Sequence, residues 1–361
     1  MNCCIRCFND AEIIDIIKNN KTKGNCNFCG SKNSPIYQLD EGTILADMFG
    51  ELLDIYTVAN KLPPAFPKDN TDLLKNILYR KWSIFNLEPE CIYRLITTIC
   101  NEKYVSQPDL FDNPIGVLES DDDDYLSEHS IISSYDWNDF IEAIKRINRF
   151  HTEHINKSVL DLFIRCVRKQ YKIGQIFYRA RLCSNDIGFS KNEMGAPPAH
   201  LANAGRVNPA GISVLYLADS AKTTLHEVRA GVFDYVTVGN FKLKRDIEVI
   251  DFASLGKISP FIANEALGIS YTQHSINIEH LKLISQQIAK PVRRHDSALD
   301  YLPTQYISDY IKSQNFDGVE YISTMCDDGF NLAVFDEKLF KCTKTTMYDI
   351  QSLSYTYDEI N

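Results

Sequence analysis

A chain of 361 residues has room for two or three domains and can bury a substantial core. Hydrophobic residues at 44% and charged residues at 24% describe an ordinary globular protein, and a net charge of -10 with no offsetting basic block argues against nucleic acid as the main partner. The apolar runs are strand-sized, so no membrane-spanning helix and no membrane partner are expected, and the opening MNCCIRCFND lacks a signal peptide's apolar core, so a cytoplasmic protein is expected.

Cysteines crowd the first thirty residues. Cys4-x2-Cys7 and Cys26-x2-Cys29 form two pairs separated by 18 residues, the spacing of a four-thiolate zinc ribbon, and Gly30 suits the tight turn of a metal knuckle. A ribbon over residues 1–40 is therefore expected, with structural Zn2+. Cys3 is an alternative to Cys4 as a ligand, and reduced thiols without metal are the bland alternative. Residues 41–170 read as an all-helical domain. Apolar spacing predicts helices over 44–61, from a cap at Asn70 or Thr71 through Trp82, and over 88–100, 136–151 and 158–172. The acidic run 119–124 reads as a solvated loop. Arg146 and His151 match the Arg-x4-His spacing of HEPN-type RNA-cutting domains. Five residues apart on a helix they would not share a face, so they read as a surface arginine and an incidental histidine.

Beyond residue 172 the pattern becomes strand-like. Residues 175–182 predict a strand carrying Tyr178, Arg179 and Arg181, followed by a long loop over 183–211 and a strand over 213–218. Ser220 caps a helix expected to end at Gly231. Within 205–231, Arg206, Tyr216 and Glu227 gather a cationic fork, an aromatic ring and a carboxylate that local folding does not need. Ala221, Leu225 and Val228 share one helix face and Glu227 lies nearly opposite; read alone, Glu227 is a solvated helical glutamate. Strands are predicted at 235–243, 247–252, 317–323 and 331–335, and helices at 260–267, 278–289 and 304–314. The basic cluster Arg293-Arg294-His295 reads as a solvated loop, and the tail from Met347 lacks periodicity.

Together these blocks carry a family resemblance. FYRAR at 177–181, GRVNPAG at 205–211, LYLADSAKTTLHEVRAG at 215–231, and PTQYISDYIKSQNFDGVEYIS at 303–323 followed by NLAVF at 331–335 resemble a RES domain, in order and spacing. The stretch from CCIRCF to NCNFCGS resembles the N-terminal region fused to RES domains and discussed alongside HEPN modules. The loop MCDDGF at 325–330 departs from the glycine-richer family pattern. The resemblance implies an α+β chain. An ADP-ribosyltransferase-like core of mixed and antiparallel strands with helices is expected over 171–345, preceded by the ribbon and the helical domain and followed by a tail at 346–361.

It also implies NAD+ as substrate, degraded at the nicotinamide–ribose bond with phosphate or water as acceptor, as in toxins held by an antitoxin or inhibitory protein partner. Arg206, Tyr216, Glu227 and Ser323 become the catalytic set by this resemblance, with Tyr178, Arg179, Arg181, Asn208 and Asn331 around the dinucleotide. The residue types suit the chemistry. Arginine forks match pyrophosphate oxygens, a tyrosine ring stacks on a base, and a carboxylate stabilises positive charge building on the ribose. Two other readings keep the fold, namely transfer of ADP-ribose to a macromolecule and non-catalytic sensing of NAD+ or ADP-ribose.

Overall fold

The structure is a computed structural model and describes residues 1–134, 136–290, 298–326 and 328–354. The cluster Arg293-Arg294-His295 lies outside the described residues. The chain forms two compact units: Met1–Ala143 with His151–Cys166 and Gly256–Lys282, and Ile144–Phe150 with Val167–Leu255 and Leu283–Asn361. Among the described residues no helix is long and apolar enough to cross a membrane.

In the first unit, β1 (Asn2–Cys4), β2 (Lys23–Gly24) and β3 (Ser34–Gln38) form an antiparallel sheet in the order β1-β3-β2. Its thiols and apolar side chains share one core with the helices that follow, through Phe8, Leu45, Phe49, Phe85 and Phe111. The Phe49 ring stacks on Phe85 at 5.5 Å and meets Phe261 edge-on at 5.4 Å. Residues 256–282, which the sequence placed with the C-terminal part, therefore belong to this core. The middle, expected to be all-helical, also carries a small sheet, β4 (Thr57–Val58), β5 (Asp72–Leu73) and β6 (Pro114–Gly116). The first expected helix accordingly stops at Leu53, and the second begins at Leu74, beyond the proposed caps. The helix Trp137–Glu142 passes into a wider turn that ends at Ile147, so Arg146 and His151 share no helix.

The second unit is built on one eight-stranded sheet. Its strands are β7 (Arg168–Tyr171), β8 (Ile176–Cys183), β9 (Leu215–Ala218), β10 (Tyr235–Leu243), β11 (Ile247–Asp251), β12 (Gly318–Ile322), β13 (Phe330–Val334) and β14 (Phe340–Asp349). The order is β14-β10-β8-β9-β13-β12-β11-β7, antiparallel except for β11 against β12. Side chains alternate between its faces. Phe177, Leu215, Leu217, Phe241 and Leu332 fill one side, while Ala180, Val236 and Val238 meet the helix Ala221–Glu227 on the other. That helix docks through Ala221, Leu225 and Val228, the face its spacing predicted.

Three predicted bounds shift. The helix expected over 158–172 ends at Cys166, because residues 168–171 pair with β11 as an edge strand. The Ser220-capped helix ends at Glu227, short of Gly231, because Arg229 adopts φ 52° and the Asp234 carboxylate takes the Gly231 N–H at 2.6 Å. The tail read as lacking periodicity from Met347 starts inside β14, whose residues 340–349 pair along the whole of β10.

Candidate active site

The sheet opens between β8 and β9. These strands share a single residue pair, Tyr178 with Ala218, and beyond it the ladder stops. Arg179 bridges the gap, donating from Nη1 to the Tyr216 carbonyl at 3.1 Å. Pairing carries a row across four strands, from Tyr178 to Ala218, Asn331 and Tyr321, so these residues share a face. Over this face lies a cavity of about 340 Å³ lined by Arg179, Arg206, Tyr216, Glu227, Tyr321 and Asn331, among others.

Glu227 reaches the cavity from the last turn of its helix, whose register Ser220 fixes by accepting the Thr223 N–H at 3.1 Å. A carboxylate is unfavourable at a helix C-terminus, where the carbonyl ends concentrate negative charge. Two donors offset this. Ser323 Oγ donates to Glu227 Oε1 at 2.6 Å and Asn331 Nδ2 donates to the same oxygen at 2.8 Å. Ser323 and Asn331 are buried, and among the described residues nothing hydrogen-bonds to Oε2. Ser323 itself is fixed by its backbone N–H to Gly329 at 2.9 Å and accepts the Met325 N–H on its hydroxyl at 3.2 Å. It does not line the cavity and acts on it through the carboxylate.

Tyr216 offers its ring to the cavity, while its hydroxyl is committed to the loop. That hydroxyl donates to Asn208 Oδ1 at 2.6 Å and accepts the Val207 N–H at 3.3 Å, and burial pushes the phenol pKa up. Gly205 packs here with no room for a side chain: a Cβ would lie 2.6 Å from the Tyr216 hydroxyl and 2.9 Å from Asn208 Oδ1. Arg206 Nη1 donates to the carbonyls of Ile288 and Ala289 at 3.0 and 2.9 Å, capping the end of the helix Tyr271–Ala289. Its guanidinium carbon lies 5.7 Å from the Tyr321 ring centroid. Burial, and then the Arg181 charge, lower the Arg179 pKa to about 10, which leaves it protonated at neutral pH. Its Nε is buried and has no hydrogen-bond partner among the described residues. The cavity thus combines two guanidinium groups with one oriented carboxylate, a set able to hold an anionic ligand and stabilise a developing cation beside it.

Three other sequence-predicted residues do not line the cavity. Asn208 Nδ2 is spent on the carbonyls of Asn203, Pro209 and Ile212 at 2.9–3.0 Å. Arg181 stacks over Phe189 at 4.0 Å and bonds the Glu193 carbonyl. Tyr178 packs with Ala180, Val236 and Leu225. Conversely, sequence reasoning missed Tyr321, whose signal was its place two residues before Ser323 on one strand face. Thr224 also lines the cavity and was missed. A larger groove of about 880 Å³ in the first unit is lined by Asp40, Glu41, Asp47 and Glu102, with Lys103, itself paired with Asp54, and no arginine. It does not suit an anionic ligand.

The four cysteines converge as a second centre. Cys4 and Cys29 Sγ lie 3.4 Å apart, Cys7 and Cys26 Sγ 3.4 Å apart, and all four within 4.8 Å of one another. Sulfurs held about 2.3 Å from one tetrahedral ion would be separated by distances of this order. The N–H groups of Phe28 and Cys29 point at Cys26 Sγ at 3.4 and 3.5 Å, and Gly30 makes the turn at φ 72°. Cys3 alternates to the opposite side of β1 and is not among the four converging thiols. The donor set fits a thiophilic divalent metal.

The family model described as the RES domain matches residues 176–358, just over half of the chain. Among solved structures, the chain is similar to one described as the M. tuberculosis MbcT–MbcA toxin–antitoxin complex, at 14% identity and a TM-score of 0.30, covering 52% of this chain and 93% of that one. No curated protein matches.

Proposed function

The chain belongs to the RES-domain family, and we propose from that premise that its second unit degrades NAD+ as a toxin-type enzyme, cleaving the nicotinamide–ribose bond. The observation that carries this reading is the Glu227 carboxylate, aimed by Ser323 and Asn331 into a cavity that also holds Arg179 and Arg206. When the ribose C1–N bond breaks, its electron pair leaves with nicotinamide, whose ring passes from cationic to neutral, so departure needs no general acid. The positive charge then sits on the ribose as an oxocarbenium-like centre. Glu227 Oε2 stabilises that centre, and the arginines hold the pyrophosphate. An oxygen of phosphate or water closes on C1, and with water the surplus proton passes to solvent.

The four-thiolate cluster supports a structural Zn2+ held by Cys4, Cys7, Cys26 and Cys29. An antitoxin or inhibitory partner that covers the cavity belongs to the same proposal, as does restraint or targeting of catalysis by the first unit. The test is NAD+ consumption by the purified full chain, with and without phosphate, beside Glu227→Ala. Glu227-dependent release of nicotinamide with ADP-ribose identifies hydrolysis, and with ADP-ribose 1″-phosphate, phosphorolysis. ADP-ribose on a macromolecule would replace this reading with transfer; NAD+ binding without turnover would favour a sensor or an enzyme restrained by the first unit.

A further inference from the structure

We infer that Thr304 and Gln305, in the first turn of the helix Leu302–Ser313, are positioning residues that set Arg206 for its anionic substrate. The inference rests on the NAD+ reading above and adds to it the device that holds the arginine. The loop 205–208 belongs to no strand, and the carbonyls of Gly205, Arg206 and Asn208 need donors. Gln305 Nε2 has two protons and uses both, on Gly205 at 2.7 Å and on Asn208 at 2.9 Å. Thr304 Oγ1 lies 2.7 Å from the Arg206 carbonyl and 3.0 Å from that of Tyr301. A hydroxyl has one proton, and the shorter distance assigns it to Arg206.

Both side chains are buried, at 5% and 6% exposure, where an unpaired polar group would be costly. The Gly205 N–H closes the loop on the Asn208 carbonyl at 2.9 Å. Arg206 is thereby held at both ends, its backbone by this helix start and its Nη1 by the Ile288 and Ala289 carbonyls. Nε and Nη2 hydrogen-bond to nothing among the described residues. A backbone shift at residue 206 would swing those free donors through the cavity.

The test is steady-state NAD+ turnover by the full chain carrying Thr304→Val, which keeps shape and loses the donor, or Thr304→Ser, which keeps the donor. Thr304→Val is expected to raise KM about tenfold, the fold-change of one lost neutral hydrogen bond, while kcat stays within about twofold. Thr304→Ser should restore the wild-type KM. Gln305→Glu, which presents an acceptor to two carbonyls, should raise KM further, and it serves as the second variant should Thr304→Val not fold. An active wild type whose KM is unmoved in both variants, or moved equally by valine and serine at 304, overturns the inference and leaves the NAD+ reading standing. A folded wild type that neither binds nor consumes NAD+ removes both.

Discussion

Glu227→Gln separates charge from geometry at the cavity. Ser323 and Asn331 both donate to Oε1, at 2.6 and 2.8 Å, and a glutamine carbonyl placed there accepts both bonds. The amide nitrogen then occupies the place of Oε2, which has no hydrogen bond to lose among the described residues. What disappears is the negative charge. Unit charges about 4 Å apart at an effective dielectric of about 20 interact by about 4 kcal/mol, which is roughly three decades of rate. The cation is only partly formed in the transition state and the cavity is open to water, so a fall in kcat of about 10²- to 10³-fold is expected. KM should change little, and the melting temperature should stay within about 3 °C of wild type. Ser323→Ala, which removes one of two donors and keeps the charge, should cost about tenfold. Nicotinamide release followed by chromatography, with circular dichroism as the folding control, measures all three. A folded Glu227→Gln protein within about threefold of wild type would refute electrostatic stabilisation by this carboxylate.

Two further outcomes follow from the first unit. Cys4→Ser should reduce bound zinc from one ion per chain to a small fraction, whereas Cys3→Ser should retain it, because only Cys4 faces the other three thiols; metal analysis of the purified variants decides this. His274 is buried between Trp82 and Phe163, and burial lowers its pKa to about 3 from 6.5. Above pH 6.5 both folded and unfolded states hold it neutral and its contribution to stability is complete. Below that pH the unfolded chain takes a proton that the folded one refuses, so stability falls by up to about 1.4 kcal/mol per pH unit until the pH nears the folded pKa. His280, lowered to about 4 by burial, adds with the same sign. Urea midpoints at pH 7 and 5 should diverge less in His274→Leu than in wild type, and equal divergence would contradict the assignment.

Local sequence determined a good deal here. The spacing Cys4-x2-Cys7 and Cys26-x2-Cys29 specified a four-thiol cluster, because two knuckles each fold over a few residues, and left the choice between Cys3 and Cys4 to the structure. Ser220 specified the start of the helix that carries Glu227, and its apolar spacing specified the docked face. Arg206, Tyr216 and Glu227 were legible as a group, and all three line one cavity. Tertiary structure decided the rest. The donors on Glu227 come from residues 96 and 104 positions away, and the carbonyls on Arg206 from 82 and 83 positions away. No periodicity encodes contacts of that range. For the same reason Asn208 and Arg181, polar residues inside site-like motifs, are spent on nearby loops, while Tyr321 enters the cavity from a strand whose pairing alone gives it a place there. Of residues 340–349 only Phe340 is buried, so the tail from Met347 carries no apolar pattern and only its pairing with β10 reveals it as a strand. Residues 256–282 carry helical patterns like others in the chain, and only packing, with Phe261 on Phe49 and His274 against Trp82 and Phe163, assigns them to the first core. Helices and turns are fixed by neighbours within a few residues; which distant side chain completes a buried hydrogen bond is fixed by the fold that brings them together.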